Sequence, residues 1–245
     1  MPYDRDVVVQ CVKRHYELLI RAAYLDPNAL ESPPSEGWND DQLIVDALRA
    51  LGRSEKVIDL LRHLPYIKPH FDMIRYEVWE ETFSINYLRE HTRGDDMLTV
   101  DNCRRVGRQL GDVLLMPDDA DWPPSFVSLT QGSEATWWVI DTDDGIVFPT
   151  GIHTVNMDAP QEQPWRRLAH PRDIQEYFDE VHYFMISLKQ VLVPIGPRHY
   201  SQVLPCELPN AGLVMKLLEK HGWPNGFNKD DYNRELEQLP PASLW

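Results

Sequence analysis

Three glutamates, Glu77, Glu80 and Glu81, crowd one short stretch of the chain. Carboxylates this close push one another's pKa upward, and a raised carboxyl is the cheapest general acid or base a fold can carry. His182, with Asp179 and Glu180 beside it, is the imidazole best placed to work with them. These four residues form the candidate catalytic set. They would suit an enzyme that acts on a small apolar metabolite by carboxylate and histidine acid–base chemistry, without a cofactor. The same glutamates would serve as well as solvated charges that protect an edge strand from pairing. A histidine on an amphipathic helix is also often only a boundary residue. Cys206, in the loop Leu204 to Pro209, is a nucleophile candidate only if a base lies beside it.

Other chemistry is excluded more firmly. The run Asp141 to Gly145 has the look of a calcium loop. Its glycine comes one place early, and Ile152 stands where a bidentate glutamate is required. It reads better as a hairpin turn. The nine histidines form no HxH, HExxH or HxxxH pair, so no local metal site is expected. No GxSxG, Walker A or GxGxxG occurs. The three cysteines, Cys11, Cys103 and Cys206, are scattered and make no CxxC, which argues against a disulfide framework and for a reducing compartment.

The chain carries a net charge of -15 over 245 residues. Nucleic-acid backbones and anionic membrane surfaces both call for a basic face, so neither is an expected partner. No apolar run nears the ~18 residues of a membrane span, and the first ten residues lack the pattern of a signal peptide. The expected setting is the cytoplasm. Hydrophobic residues make up 42% of the chain, enough for a substantial core, while 20 prolines imply short elements and much loop.

The elements that must position these residues follow from periodicity. Apolar positions Val8, Val12, Leu19 and Ala22 predict an amphipathic helix over 5–25. A second helix carries Leu43 to Leu51, capped by Asn39 or Asp40, with Gly52 just past its end. A third starts at Ser54 and stops before Pro65. Over 71–88 the alternation changes parity, which predicts a bulge or break at Trp79–Glu81, where the glutamates lie. Residues 89–121 are weakly patterned, with a short helix expected around Asn102–Leu110 and a mobile loop elsewhere. A long helix is expected from Pro171 to Lys189. Residues 191–209, with four prolines, are expected to be irregular. Helices capped by Asn210 and by Asn228 close the chain.

The most ordered text runs from Trp122 to Phe148. Phe126–Leu129, Thr136–Ile140 and Ile146–Phe148 are β-prone runs separated by turns at Gln131–Ser133 and Asp143–Gly145, which predicts an antiparallel meander over 125–148. The expected fold is one α+β domain over 1–245, the antiparallel sheet packed with N- and C-terminal helices. This stretch, with Trp122, Gly132, Trp137-Trp138-Val139-Ile140-Asp141 and Gly145-Ile146-Val147, resembles the SUKH superfamily, which includes yeast cell-wall regulators and bacterial toxin-immunity proteins. Pro33 to Trp38, Val57 to Tyr66 and His221 to Pro224 are similar to a large group of fungal proteins. The turn after the first strand holds one glycine where the family often has several, and the N-terminal helical layer is longer. The resemblance implies a sheet-and-helix domain whose members mostly bind other proteins without chemistry, and it implies no cofactor.

The leading expectation is therefore an acidic, non-enzymatic binding or regulatory protein that recognises a protein partner. Trp38, Trp122 and Trp165 are the expected exposed anchors, since aromatic side chains concentrate interface energy, although a tryptophan in a Pro/Gly-rich loop such as that of Trp38 is more often a clamp tucked back onto the core. A small-molecule ligand belongs to the catalytic alternative.

Overall fold

The computed structural model describes residues 2–68, 75–91, 122–132, 134–151, 154, 156, 158, 168–194 and 200–239. The expected helix at Asn102–Leu110, the expected mobile loop and Trp165 lie outside them.

The chain opens with α1 (Arg5–Arg21), capped by the Asp4 carboxylate on the amides of Asp6 and Val7. β1 (Leu30–Glu31) follows and pairs with β2 (Tyr66–Ile67). Between them stand α2 (Val45–Ala50) and α3 (Glu55–His63). Ser54 caps α3 through the Val57 amide, as expected. The helix through Leu43 is shorter than its periodicity suggests, because Asn39 spends its side chain on a turn with the amides of Asp41 and Gln42.

A five-stranded sheet holds the middle of the molecule, in the order β10 (Gln190–Val193), β11 (Tyr200–Pro205), β3 (Arg75–Trp79), β4 (Thr82–Ser84) and β6 (Thr130–Gln131). The expected break at Trp79–Glu81 is a tight hairpin. Trp79 pairs with Thr82, Glu80 and Glu81 form the turn, and the register shifts between Glu77 and Trp79. A second, four-stranded sheet has the order β5 (Phe126–Ser128), β7 (Trp137–Asp141), β8 (Ile146–Thr150) and β9 (Arg172–Asp173). Its first three strands are the expected meander, and Asp141 closes the turn by accepting from the Asp143 amide at 2.9 Å. After β9 come α4 (Ile174–Ile186), then α5 (Pro209–Lys220) and α6 (Lys229–Leu236) after the β10–β11 pair. The fold is α+β, rich in antiparallel pairs, with helices at both ends.

Three expectations are corrected. Within the stretch expected to be irregular, β10 and β11 pair antiparallel, because Pro194 lies outside the strands and Pro205 sits at a strand end, where no interior ladder bond is lost. The sheet that holds the meander is antiparallel throughout, as expected, and the parallel β11–β3 pair belongs to the five-stranded sheet. The long helix begins at Ile174 under an Asp173 cap, leaving Arg172 and Asp173 to pair with β8. In the last third, Pro209 takes the first position of α5, with Leu208 ahead of it, so Asn210 is not a cap, whereas Asn228 does cap α6 through the Asp231 amide.

The main core runs from Val8 to Tyr232 and fills the space between the helices and the sheets. Trp138 sits in it fully buried, edge-on to Phe178 and to His15. A smaller cluster, Trp122, Phe126, Val139, Phe148 and Leu168, covers the other face of the meander. Gly132 is the joint between the two sheets. Its φ is +143°, and a Cβ there would meet the Glu81 carbonyl at 2.6 Å. Replacing Gly132 by alanine is expected to cost about 1–3 kcal/mol through strain and this clash. Urea denaturation measures it, and a midpoint unchanged from wild type would refute the joint.

Candidate functional site

The four candidate catalytic residues are not brought together as one group. Glu80 and Glu81 are exposed on the hairpin turn. Glu77 is buried, on the central strand of its sheet, so it is not an edge-strand charge. Its local role follows from the register shift. The irregularity interrupts the ladder, and the Glu77 carboxyl accepts from the Val203 amide of β11 at 2.8 Å. The backbone carbonyls at the same place turn to the α1 side. The Tyr24 hydroxyl donates to the Glu77 carbonyl at 3.0 Å, and His15 Nε2 lies 2.8 Å from the Val78 carbonyl. A carbonyl only accepts, so Nε2 carries the proton and Nδ1 of His15 is bare.

Burial pushes the Glu77 carboxyl up to about 8, opposed by the Val203 amide and reinforced by the nearby Glu81 and Glu80 charges. It is therefore largely protonated at neutral pH. His15 moves the other way, down to about 3, through burial first and the His182 ring second. The two imidazoles are stacked, with centroids 5.6 Å apart. His182 falls to about 4 by burial and then by the cations of Arg14 and Arg21. Both imidazoles are thus neutral near pH 7.

His182 does face a concavity. An open groove of about 630 Å³ lies between α1 and α4. Arg14, Glu17, Leu18 and Arg21 line it from α1; Asp179, His182, Tyr183 and Ile186 line it from α4. Each set has the i, i+3, i+4, i+7 spacing that puts residues on one face of a helix. The two faces run in the same direction. Arg14 pairs with Asp179 at one end, and at the other Arg21 lies over Trp223, whose indole donates to the Ile186 carbonyl at 3.1 Å. Glu77, Glu80 and Glu81 are not among the residues lining the groove.

The groove's rim is apolar and wet. Tyr183 is 55% and Ile186 37% exposed. Among the described residues the only other large hydrophobic so exposed is Leu208. The Lys189 ammonium sits 4.9 Å from the Tyr183 ring centre and holds it upright. No periodicity in the sequence marks this rim, because Tyr183 and Ile186 fall next to the buried stripe of the same helix. The signal that was present is the pair of matching charged positions, Arg14 and Asp179, on two separate helices.

Two of the three expected tryptophan anchors, Trp38 and Trp122, are corrected. Trp38 is buried: its indole donates to the Leu64 carbonyl at 2.9 Å, and its backbone exchanges bonds with Arg62. It clamps its loop to the end of α3. Trp122 is buried edge-on against Phe126 in the smaller cluster. The indole body is too costly to leave in water where apolar surface is at hand. Cys206 is partly buried, and burial first, then its hydrogen bond with the Glu207 carboxylate and that group's charge, push its thiol up, away from the thiolate. Among the described residues no three His, Cys, Asp or Glu side chains converge on a point that could hold a metal ion. Among the same residues no helix is long and apolar enough to cross a membrane.

Comparison with protein-family models, with curated proteins and with solved structures finds no match.

Proposed function

We propose that this chain is a non-enzymatic binding protein, a SUKH-like domain that recognises a protein partner through the groove between α1 and α4. The observation that carries the reading is the wet apolar rim. Tyr183 and Ile186 stand one turn apart on a rigid helix, over a groove of about 630 Å³. An aromatic and an aliphatic side chain held out in this way leave about one helical turn of apolar surface unburied, the usual mark of an interaction site. The resemblance over 122–147 points the same way. The acidic surface, at -15, keeps the chain soluble and selects against other acidic surfaces.

The catalytic alternative retains one residue in the groove. His182 there is a weak base, since burial and two arginines hold its pKa near 4, and the carboxylate beside it, Asp179, is engaged by Arg14. The raised carboxyl of Glu77 is occupied in replacing a ladder bond. The binding reading accounts for more of the surface with fewer assumptions.

Site-specific photo-crosslinking tests it. A benzoyl-phenylalanine in place of Tyr183 is expected to capture a defined protein in cells, and the same probe in place of Leu208 is expected to capture none. Equal capture from both positions, or none from Tyr183, would refute the groove as the binding face.

A further inference from the structure

The lining charges balance in number, Arg14 and Arg21 against Glu17 and Asp179, but they do not pair off evenly. Lys13 and Glu17 pair at 3.9 Å on α1, and Arg14 pairs with Asp179 across the groove. Arg21 meets only the Trp223 ring, 5.2 Å below its guanidinium carbon, and has no carboxylate partner among the described residues. Stacking on an indole fixes the plane of a guanidinium while leaving its N–H fork free, which pre-orders it for a planar anion. The charges that bear on His182 are those of Arg14 and Arg21, although the whole chain stands at -15. A local cation within an acidic protein is a selective feature, because it attracts one group while the rest of the surface repels its bearer.

Arg21 lies at the same end of the groove as Ile186, with Leu18 as the apolar floor beneath them. The lined face from residue 14 to residue 21 spans about 10 Å along the helix axis, the length of about two helical turns. A small metabolite would leave such an open trough mostly wet; a chain segment lying along it would cover the rim.

From the unpaired Arg21 and the adjacent exposed rim, the geometry points to an occupant that is a segment of a partner protein carrying a carboxylate about one helical turn from a bulky apolar side chain. This rests on the partner-binding reading above and specifies its chemistry. The carboxylate meets the fork of Arg21. The apolar side chain lies on Tyr183 and Ile186.

The experiment is an NMR titration of the full chain with three blocked, ten-residue helical peptides. Each carries phenylalanine and leucine on one face and, three residues before the phenylalanine, glutamate, glutamine or lysine. The glutamate peptide is expected to shift the Trp223 indole resonance and to bind about 3- to 10-fold more tightly than the glutamine peptide. That advantage is expected to vanish in Arg21→Gln and to shrink at ~1 M salt, where the screening length is about 3 Å. Equal binding of the glutamate and glutamine peptides at the groove would overturn the carboxylate assignment while leaving the groove as a binding face. Tighter binding of the lysine peptide would overturn it too. No shift at Tyr183, Ile186 or Trp223 with any peptide would remove the assignment and the groove reading together.

Discussion

Trp138→Ala is expected to cost about 3–5 kcal/mol, the usual loss for emptying a buried aromatic site. Trp138 is fully buried, with Phe178 at 5.1 Å, His15 at 5.3 Å and Tyr177 at 6.3 Å between ring centres. It touches α1 and α4 from the meander, so its removal loosens the contact that also shapes the groove. Set against a total stability of ~5–15 kcal/mol, such a loss leaves a marginal protein. Its neighbour Trp137 is the control. It faces the other side of the sheet, is only partly buried and donates to the Gly132 carbonyl at 3.1 Å. Trp137→Ala is expected to cost about 1–2 kcal/mol. Guanidinium denaturation of the two variants measures both. Similar losses for both would mean that Trp138 is not the centre of the packing.

Stability against pH is the second large effect, and three buried groups set its shape. Glu77 has its pKa raised from 4.5 to about 8; His15 and His182 have theirs lowered from 6.5 to about 3 and about 4. Glu81 and Glu80 face Glu77; Arg14 and His182 face His15; Arg14 and Arg21 face His182. Between pH 4.5 and 6.5 the unfolded chain takes up two imidazole protons that the folded chain refuses, while the folded chain keeps one carboxyl proton that the unfolded chain has lost. The unfolded state then holds one proton more, and stability rises with pH by ~1.4 kcal/mol per pH unit. Between 6.5 and 8 only Glu77 differs; the folded state holds the extra proton, and stability falls at the same ~1.4 kcal/mol per unit. These groups therefore place the maximum near pH 6.5. Glu77→Gln keeps an acceptor for the Val203 amide and removes the titration, so its alkaline limb is expected to be flat. His15→Gln keeps a donor for the Val78 carbonyl and is expected to make the acid limb shallower. Thermal unfolding from pH 4 to 9 gives both limbs. An alkaline limb unchanged in Glu77→Gln would rule out the buried carboxyl as its origin.

Local signals were enough for several of the elements. Ser54 and Asn228 cap helices because a side-chain oxygen reaches an amide three residues on, whatever surrounds it. Asp141 and Gly145 make their turn for equally local reasons, and the two β-prone runs beside it pair because that tight turn lays one against the other. The α+β class followed from these elements.

Long-range closure decided the rest. Glu77 reads as a surface charge in sequence; only the approach of β11, 126 residues later, makes it a buried acid on a central strand. Trp38 and Trp122, which look like exposed anchors, are buried because α3 and the meander offer them apolar surface. The groove exists only because α1 and α4, distant in sequence, lay matching faces side by side and trap His182 against His15. The sequence by itself determined where Ser54 and Asn228 start their helices and where Asp141 and Gly145 turn, since capping and turn chemistry act over three or four residues. Burial, charge state and the site were left to the tertiary structure, because desolvation depends on which distant surfaces arrive.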